Sequence, residues 1–314
     1  MPIYQQILEK IKQAEKIVFL AHRNPDADTI GSCAAMAFFC QQALNKKVNI
    51  ASPDEFPENL NFFKVNDFYQ NSHNLNPEDY DLIVTLDCGD SSQTGIADKF
   101  FKAKDKVFTI NIDHHQTNPS YAHLNLVEPV SAASEIVYKI FKTQKVSFTK
   151  EISTWLLAGI ITDTNYFTNA ATSQESMATA SDLLKHNADI KTIIKSTWKK
   201  NSPEALRAWG KILSRLEYNE EYKIVSAVIS KEDIILPHVF QGLSNFLTTL
   251  YKADIIMVVL ETPEGIIKVS LRSTKDEFDV SLLAKKFGGG GHAKAAGFSF
   301  PGRLEKTASG WKIV

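Results

Sequence analysis

The chain of 314 residues carries 35 Lys and Arg against 36 Asp and Glu, a formal charge of −1, with 44% hydrophobic and 23% charged residues. That is ordinary globular composition, long enough for about two domains at roughly 100 to 200 residues each, and it excludes a small stapled scaffold. The longest apolar runs, such as Ile255–Leu260, fall far short of the roughly 20 residues a membrane helix needs, and the polar start Met1–Gln13 is unlike a signal peptide. We therefore expect a cytoplasmic protein with no membrane partner. Cys33, Cys40 and Cys88 cannot all pair and show no CxxC spacing, so neither a disulfide framework nor a zinc knuckle is expected. The neutral total hides an asymmetry: residues 268–314 hold nine Lys and Arg against four Asp and Glu, a local +5 that leaves −6 for the rest. An acidic body can hold cations and a basic tail phosphates.

In chain order, Ile3, Ile7, Leu8 and Ile11 recur at helical spacing, and the short β-rich run Lys16–Ala21 follows. Similar runs occur at Lys47–Ala51, Leu82–Leu86 and Val107–Ile112, with helical stretches between several of them. Continuous rather than alternating apolar runs, interleaved with helices, predict an α/β fold with a parallel sheet covered on both faces. From Ala132 to about Arg215 the pattern is helical, with segments at Ala133–Phe141, Ile152–Ile161, Ser176–Leu184, Ile190–Trp198 and Pro203–Leu216. Strands return at Tyr222–Ile229 and Ala253–Leu260, and Pro263-Glu264-Gly265 before Ile266–Leu271 reads as a hairpin turn. A domain change is expected near residues 190–220, leading to a smaller mixed α/β domain.

In open α/β sheets the ligand site lies beyond the carboxyl ends of the strands. After Lys16–Ala21 comes His22, with Asp26 and Asp28 close behind; after Leu82–Leu86 comes Asp87, with Asp90 beyond; after Val107–Ile112 comes Asp113-His114-His115. Any one of these could cap a helix or make a turn, but three successive strand ends point to a site. Clustered carboxylates need cations between them. His and Asp without thiolate favour manganese, with magnesium, cobalt or iron as competitors, and two such ions suit phosphate-ester hydrolysis. Asp163, at the end of the apolar run from Trp155, is a further ligand candidate, because a buried carboxylate is costly without a partner or a metal. Asp90 and Thr164 carry weaker signals. Five of the 14 glycines fall between Gly288 and Gly297. Such a loop offers N–H groups to an anion, with Arg272, His292 and Lys294 to complete the site.

These segments resemble the Asp-His-His (DHH) phosphoesterase superfamily over nearly the whole chain. Its first motif resembles His22–Ser32, its second the Asp87 segment, its third Asp113-His114-His115 and its fourth Asp163–Phe167. Val269–Ser273 and Gly288–Gly297 are similar to the DHH-associated C-terminal domain of one branch. Ala27 stands where the family usually has Gly. The resemblance implies two manganese ions, with magnesium or cobalt as substitutes: His22, Asp26 and Asp87 on one, and Asp28, Asp87, His114 and Asp163 on the other. Asp87 would bridge them. It implies that His115 faces the phosphate, that Asp113 orients the histidines, and that Arg272, Ser273, Gly289, Gly290, Gly291, His292 and Lys294 bind substrate.

Within the family the chain looks like the nanoRNase and 3′-phosphoadenosine 5′-phosphate phosphatase group. The implied partition is a catalytic domain at 1–190, a helical connector at 191–220 and a substrate-binding domain at 221–314, with the active site in the cleft between the two domains. The implied substrates are short single-stranded RNAs and adenine nucleotides; the modest local charge argues against duplex DNA, and a homodimer is compatible. The alternatives are a cyclic-di-AMP or linear diadenylate phosphodiesterase and a non-catalytic nucleotide sensor, which would be expected to have lost a metal ligand.

Overall fold

The computed structural model describes residues 2–198, 203–234, 239–240, 242–250, 253–307 and 310–314. Its contacts divide the chain into two units, Met1–Lys199 and Lys200–Val314.

The first unit runs α1 (Ile3–Gln13), β1 (Lys16–Leu20), α2 (Ala27–Leu44), β2 (Lys47–Ser52), β3 (Tyr69–Asn71), β4 (Leu82–Leu86), α3 (Ala97–Ala103), β5 (Phe108–Asp113) and β6 (Leu124–Val127). Four helices follow: α4 (Ala133–Thr143), α5 (Lys150–Asp163), α6 (Gln174–Lys185) and α7 (Ile190–Thr197). The strands form one six-stranded sheet in the order β3-β2-β1-β4-β5-β6, parallel at every pairing. This confirms the parallel sheet read from the apolar runs: Leu82–Leu86 is buried at all five positions, as a strand covered on both faces must be. Chain order reverses at β1 and β4, so the switch point, where a ligand crevice opens in such sheets, lies between their carboxyl ends.

Helix α2 is buried almost all round, including Ile30, Cys33, Met36 and Cys40. It therefore lacks the one-sided stripe of a surface helix. It crosses α5 at two glycines: a Cβ on Gly31 would come 2.5 Å from the Trp155 carbonyl oxygen, and one on Gly159 would come 2.4 Å from Asp28 Oδ1. This close crossing lays the far end of α5, with Asp163, beside the start of α2.

The second unit holds α8 (Pro203–Leu213), β7 (Glu217–Asn219), β8 (Ile224–Ile229), α9 (Leu243–Leu250), β9 (Ile255–Glu261), β10 (Ile266–Ser273), α10 (Val280–Lys286), β11 (Gly290–His292) and β12 (Ala295–Pro301), then the hairpin β13 (Leu304–Thr307) and β14 (Gly310–Ile313). Its main sheet runs β11-β12-β10-β9-β8-β7, with β8 and β9 parallel and the other pairs antiparallel. The expected hairpin at Pro263–Gly265 joins β9 to β10, with Gly265 at φ +78°. Within the stretch read as a connector, Ile193 of α7 packs in the core of the first unit and Ile212 of α8 in that of the second.

Candidate metal centre

The three strand ends meet. His22 follows β1 and Asp87 follows β4, the two neighbours at the switch point, and β5 beside β4 delivers Asp113, His114 and His115. Asp87 sits at φ +57°, a left-handed conformation that Asp tolerates better than most residues, and this turn directs its buried carboxylate back over the strand ends. Its Oδ2 lies 3.3 Å from His22 Nε2 and its Oδ1 3.3 Å from His114 Nε2.

Each neighbour is held from behind. His22 Nδ1 is 2.7 Å from the Arg23 carbonyl and His114 Nδ1 3.2 Å from the Val130 carbonyl, which leaves the Nε2 atoms turned to the carboxylates. Asp26 caps α2, accepting from the N–H groups of Asp28 and Thr29 at 2.9 and 3.1 Å. Asp28, fully buried, accepts from the backbone N–H groups of Ala133 and Ser134 at 2.6 and 2.8 Å. It thus caps α4, whose own N-cap residue, Ala132, has no side-chain oxygen to do so. Asp163 Oδ2 is 3.4 Å from His114 Nε2. Asp113 takes the Nδ1 of His115 at 2.8 Å on one oxygen and the amide of Asn118 at 2.5 Å on the other.

Three sets of donor atoms fall within 4.8 Å of one another: His22, Asp26 and Asp87; Asp28, His114 and Asp163; and Asp87, His114 and His115. All the metal and catalytic candidates read from the sequence except Asp113 are in these sets, and Asp113 holds His115 from behind. Asp90 and Thr164 are not. Asp90 accepts from the Ser92 N–H in a turn, and the Thr164 hydroxyl donates to the Ile160 carbonyl at the end of α5.

The electrostatics of this pocket favour positive charge among its carboxylates. Burial opposes charge on His22, but hydrogen bonds and charge from Asp26 and Asp87 overcome it and raise its pKa to about 12. His114 is likewise raised well above its usual value against the effect of burial, chiefly by Asp87. Burial pushes Asp87 up, yet His114 and His22 outweigh it and hold its carboxyl well below the usual range. Asp28 rises to about 7 through burial and the charge of Asp87, and Asp163 rises well above the ordinary value through burial and its three acidic neighbours. Asp87 Oδ1 is buried with no hydrogen-bond partner among the described residues. An orphaned oxygen within a set of carboxylates and imidazoles, with no thiolate, is a donor set that fits a divalent cation such as manganese or magnesium.

In the second unit the expected substrate residues divide. Arg272 and His292 both stand opposite Ala295, so Arg272, Ala295 and His292 form one row across three strands on one sheet face. Ser270, Gly297 and Gly290 form the next row on that face. Arg272 Nε donates to Asn245 Oδ1 of α9 at 2.6 Å. Ser273, one residue beyond Arg272, points to the opposite face, where its buried hydroxyl donates to the Lys275 carbonyl; Lys294 pairs with Asp276 at 2.7 Å. The glycine run, expected as a loop, is partly strand: Gly290 and Gly291 are in edge strand β11. A Cβ on Gly289 would come 2.1 Å from the Gly297 carbonyl oxygen, and one on Gly291, at φ +136°, 2.4 Å from that of Ala295, so these two glycines permit close strand approach. Sequence reasoning missed Asn118 and Gly159, because an Asn before Pro119 reads as a turn and a lone helical Gly as a tolerated defect.

The DHH family, N-terminal domain, matches residues 16–160 and the DHHA1 domain matches residues 210–309. The chain is 30% identical over 304 residues to the bifunctional oligoribonuclease and PAP phosphatase NrnA of Thermus thermophilus, covering 94% of this chain and 88% of that protein. It is 32% identical over 178 residues to a probable manganese-dependent inorganic pyrophosphatase of Streptococcus agalactiae, covering 54% of each. A crystal structure of an exopolyphosphatase-related protein from Bacteroides fragilis superposes with a TM-score of 0.86 at 25% identity, covering 95% of this chain and 91% of that one. Fold, cluster and relatives together define a hydrolytic phosphoesterase. The chain belongs to the DHH family and carries a DHHA1 domain. Among the described residues no helix is long and apolar enough to cross a membrane.

Proposed function

We propose that this chain is a manganese-dependent phosphoesterase that hydrolyses short oligoribonucleotides, and 3′-phosphoadenosine 5′-phosphate to AMP. The observation that carries this reading is Asp87, whose two carboxylate oxygens face two imidazoles at the switch point of the sheet. His22, Asp26 and Asp87 would hold one ion, and Asp28, Asp87, His114 and Asp163 the other; magnesium or cobalt are chemically acceptable substitutes. When bound, the pair of ions supplies charge to the phosphoryl group and acidifies an attacking water. The chain's own residues do the rest. Asp113 holds Nδ1 of His115 and raises its pKa against burial, so the imidazole keeps its proton longer and directs Nε2–H toward a phosphate oxygen. Asn118 holds the other oxygen of Asp113 and so fixes the ring. Water adds to phosphorus, and the ester oxygen leaves as an alcohol carrying a proton.

We assign residues 1–190 to catalysis, 191–220 to a connector and 221–314 to substrate binding. Arg272 and His292 stand two strands apart, roughly 10 Å, across a floor of Ala295, Gly297 and Gly290 that lacks bulky side chains. Such a strip suits a terminal nucleotide lying against the backbone, with its phosphate on the Arg272 guanidinium and the His292 ring. It offers few phosphate contacts, in keeping with short substrates. The close match to the Thermus oligoribonuclease and PAP phosphatase, over nearly the whole of both chains, supports the substrate class. Three buried, unpaired cysteines fit a reducing cytoplasm.

The test is turnover of a ribonucleotide dimer, 3′-phosphoadenosine 5′-phosphate, linear and cyclic diadenylate, and pyrophosphate by metal-stripped protein before and after manganese is returned. The dimer and the bisphosphate should be cleaved only with metal. Pyrophosphate cleaved ahead of both would refute the substrate class.

A further inference from the structure

We propose that Glu135, in the first turn of α4, is a positioning residue for one of the two metal sites, acting through residues 130–134. The inference rests on the two-ion reading above. Glu135 is completely buried. Its Oε2 accepts from the Ser131 hydroxyl at 2.6 Å and from the Ser131 N–H at 3.3 Å. Its Oε1 has no hydrogen-bond partner among the described residues, and the nearest cation, Lys139 Nζ, stands 3.6 Å away. A carboxylate with so incomplete a set of partners is expensive to bury. A Glu at this position of a helix would ordinarily turn to solvent and interact with the helix dipole.

What Glu135 does there follows from its neighbours. By gripping Ser131 from one turn inside the helix, it closes a small ring over residues 131–135, which the Glu135 N–H to Ala132 carbonyl bond at 3.1 Å tightens. On one side of that ring the Val130 carbonyl meets His114 Nδ1 at 3.2 Å and sets which nitrogen faces the carboxylates. On the other side the N–H groups of Ala133 and Ser134 hold both oxygens of Asp28. With Ala132 at the N-cap, no side chain at that position competes for those N–H groups. One buried carboxylate therefore fixes the supports of two ligands, Asp28 and His114, which belong to the same three-residue set with Asp163. The set of His22, Asp26 and Asp87 draws nothing from this segment in its hydrogen bonding.

The role is therefore selective, and selectivity is what the experiment reads. Manganese binding to the full-length protein is followed by calorimetric titration and by electron paramagnetic resonance for the wild type, Glu135→Ala, Glu135→Gln and Ser131→Ala. Loss of a residue that supports a metal ligand weakens affinity by roughly 10- to 100-fold. Glu135→Ala and Ser131→Ala should weaken one binding event by about that factor and leave the other within about threefold, while Glu135→Gln, which retains an acceptor for Ser131, should stay near the wild type. If Glu135→Ala does not fold, Ser131→Ala decides. Equal weakening of both events, no weakening of either, or a Glu135→Gln as impaired as Glu135→Ala would overturn the positioning role. A wild type that never binds two ions would overturn the two-ion reading itself, and this inference with it, so the two failures are distinguishable.

Discussion

Replacing Asp87 by Asn should abolish turnover while leaving the fold intact. The substitution is nearly isosteric, the site is buried, and Asn is among the few residues at ease at φ +57°, so neither packing nor backbone should object. What is lost is charge on oxygens that lie 3.3 Å from His22 Nε2 and 3.3 Å from His114 Nε2. These are ion-pair contacts, and removing one partner of a buried pair costs about 3–5 kcal/mol, or roughly two to four orders of magnitude in an equilibrium constant. If Asp87 serves both ions, as proposed, the loss should appear in both manganese-binding events, read by calorimetric titration, and circular dichroism should be unchanged. A variant that binds two ions with wild-type affinity and retains substantial turnover would refute the bridging role. Asp87→Ala is a poorer test, because it adds the strain of a left-handed alanine.

Gly159→Ala should be far worse than an ordinary helix substitution, since its Cβ would come 2.2 Å from Ser134 Oγ and 2.4 Å from Asp28 Oδ1; overpacking of about 1–3 kcal/mol should lower the denaturation midpoint, and manganese affinity should fall with it. Manganese affinity should also rise steeply with pH. Without metal, His22 keeps its proton to about pH 12 against an ordinary 6.5, so that proton stabilises the metal-free fold fully below 6.5 and progressively less toward 12. A cation must displace it, and that of His114 as well, so apparent affinity should climb about tenfold per pH unit for each proton released, with release measured by titration in buffers of different ionisation enthalpy; a flat profile would contradict the proton placement. Arg272→Ala should lower kcat/KM on nucleotides by about 10- to 100-fold and on bis-p-nitrophenyl phosphate much less; equal loss on both would place the second unit in the chemical step.

The strand ends were legible because parallel strands buried on both faces read as unbroken apolar runs, and the polar residue that ends each run is conspicuous. Leu82–Leu86 followed by Asp87 is the plainest case. The order of those strands was not legible: that β1 and β4 are neighbours is a long-range fact no local pattern carries. Edge strands β3 and β6, of three and four residues, are too short and too mixed to stand out. The supports of the site were hidden for a similar reason. Asp28 is held by N–H groups more than 100 positions away, and Asn118 and Glu135 look like a turn residue and a helix-start acid until their partners are in place. In the glycine run the short strand β11 was not legible, since a run that suits an anion loop also suits strands in close contact, and only the register of β11 on β12 separates them.

The most direct test of the function is the dependence of rate on RNA length. With the full chain, manganese and single-stranded RNAs of two to about twenty nucleotides, kcat/KM should be highest for the shortest and fall as the chain lengthens, because a strip between Arg272 and His292 offers so few phosphate contacts. Equal rates on a dinucleotide and a twenty-mer would contradict it and indicate a processive exonuclease.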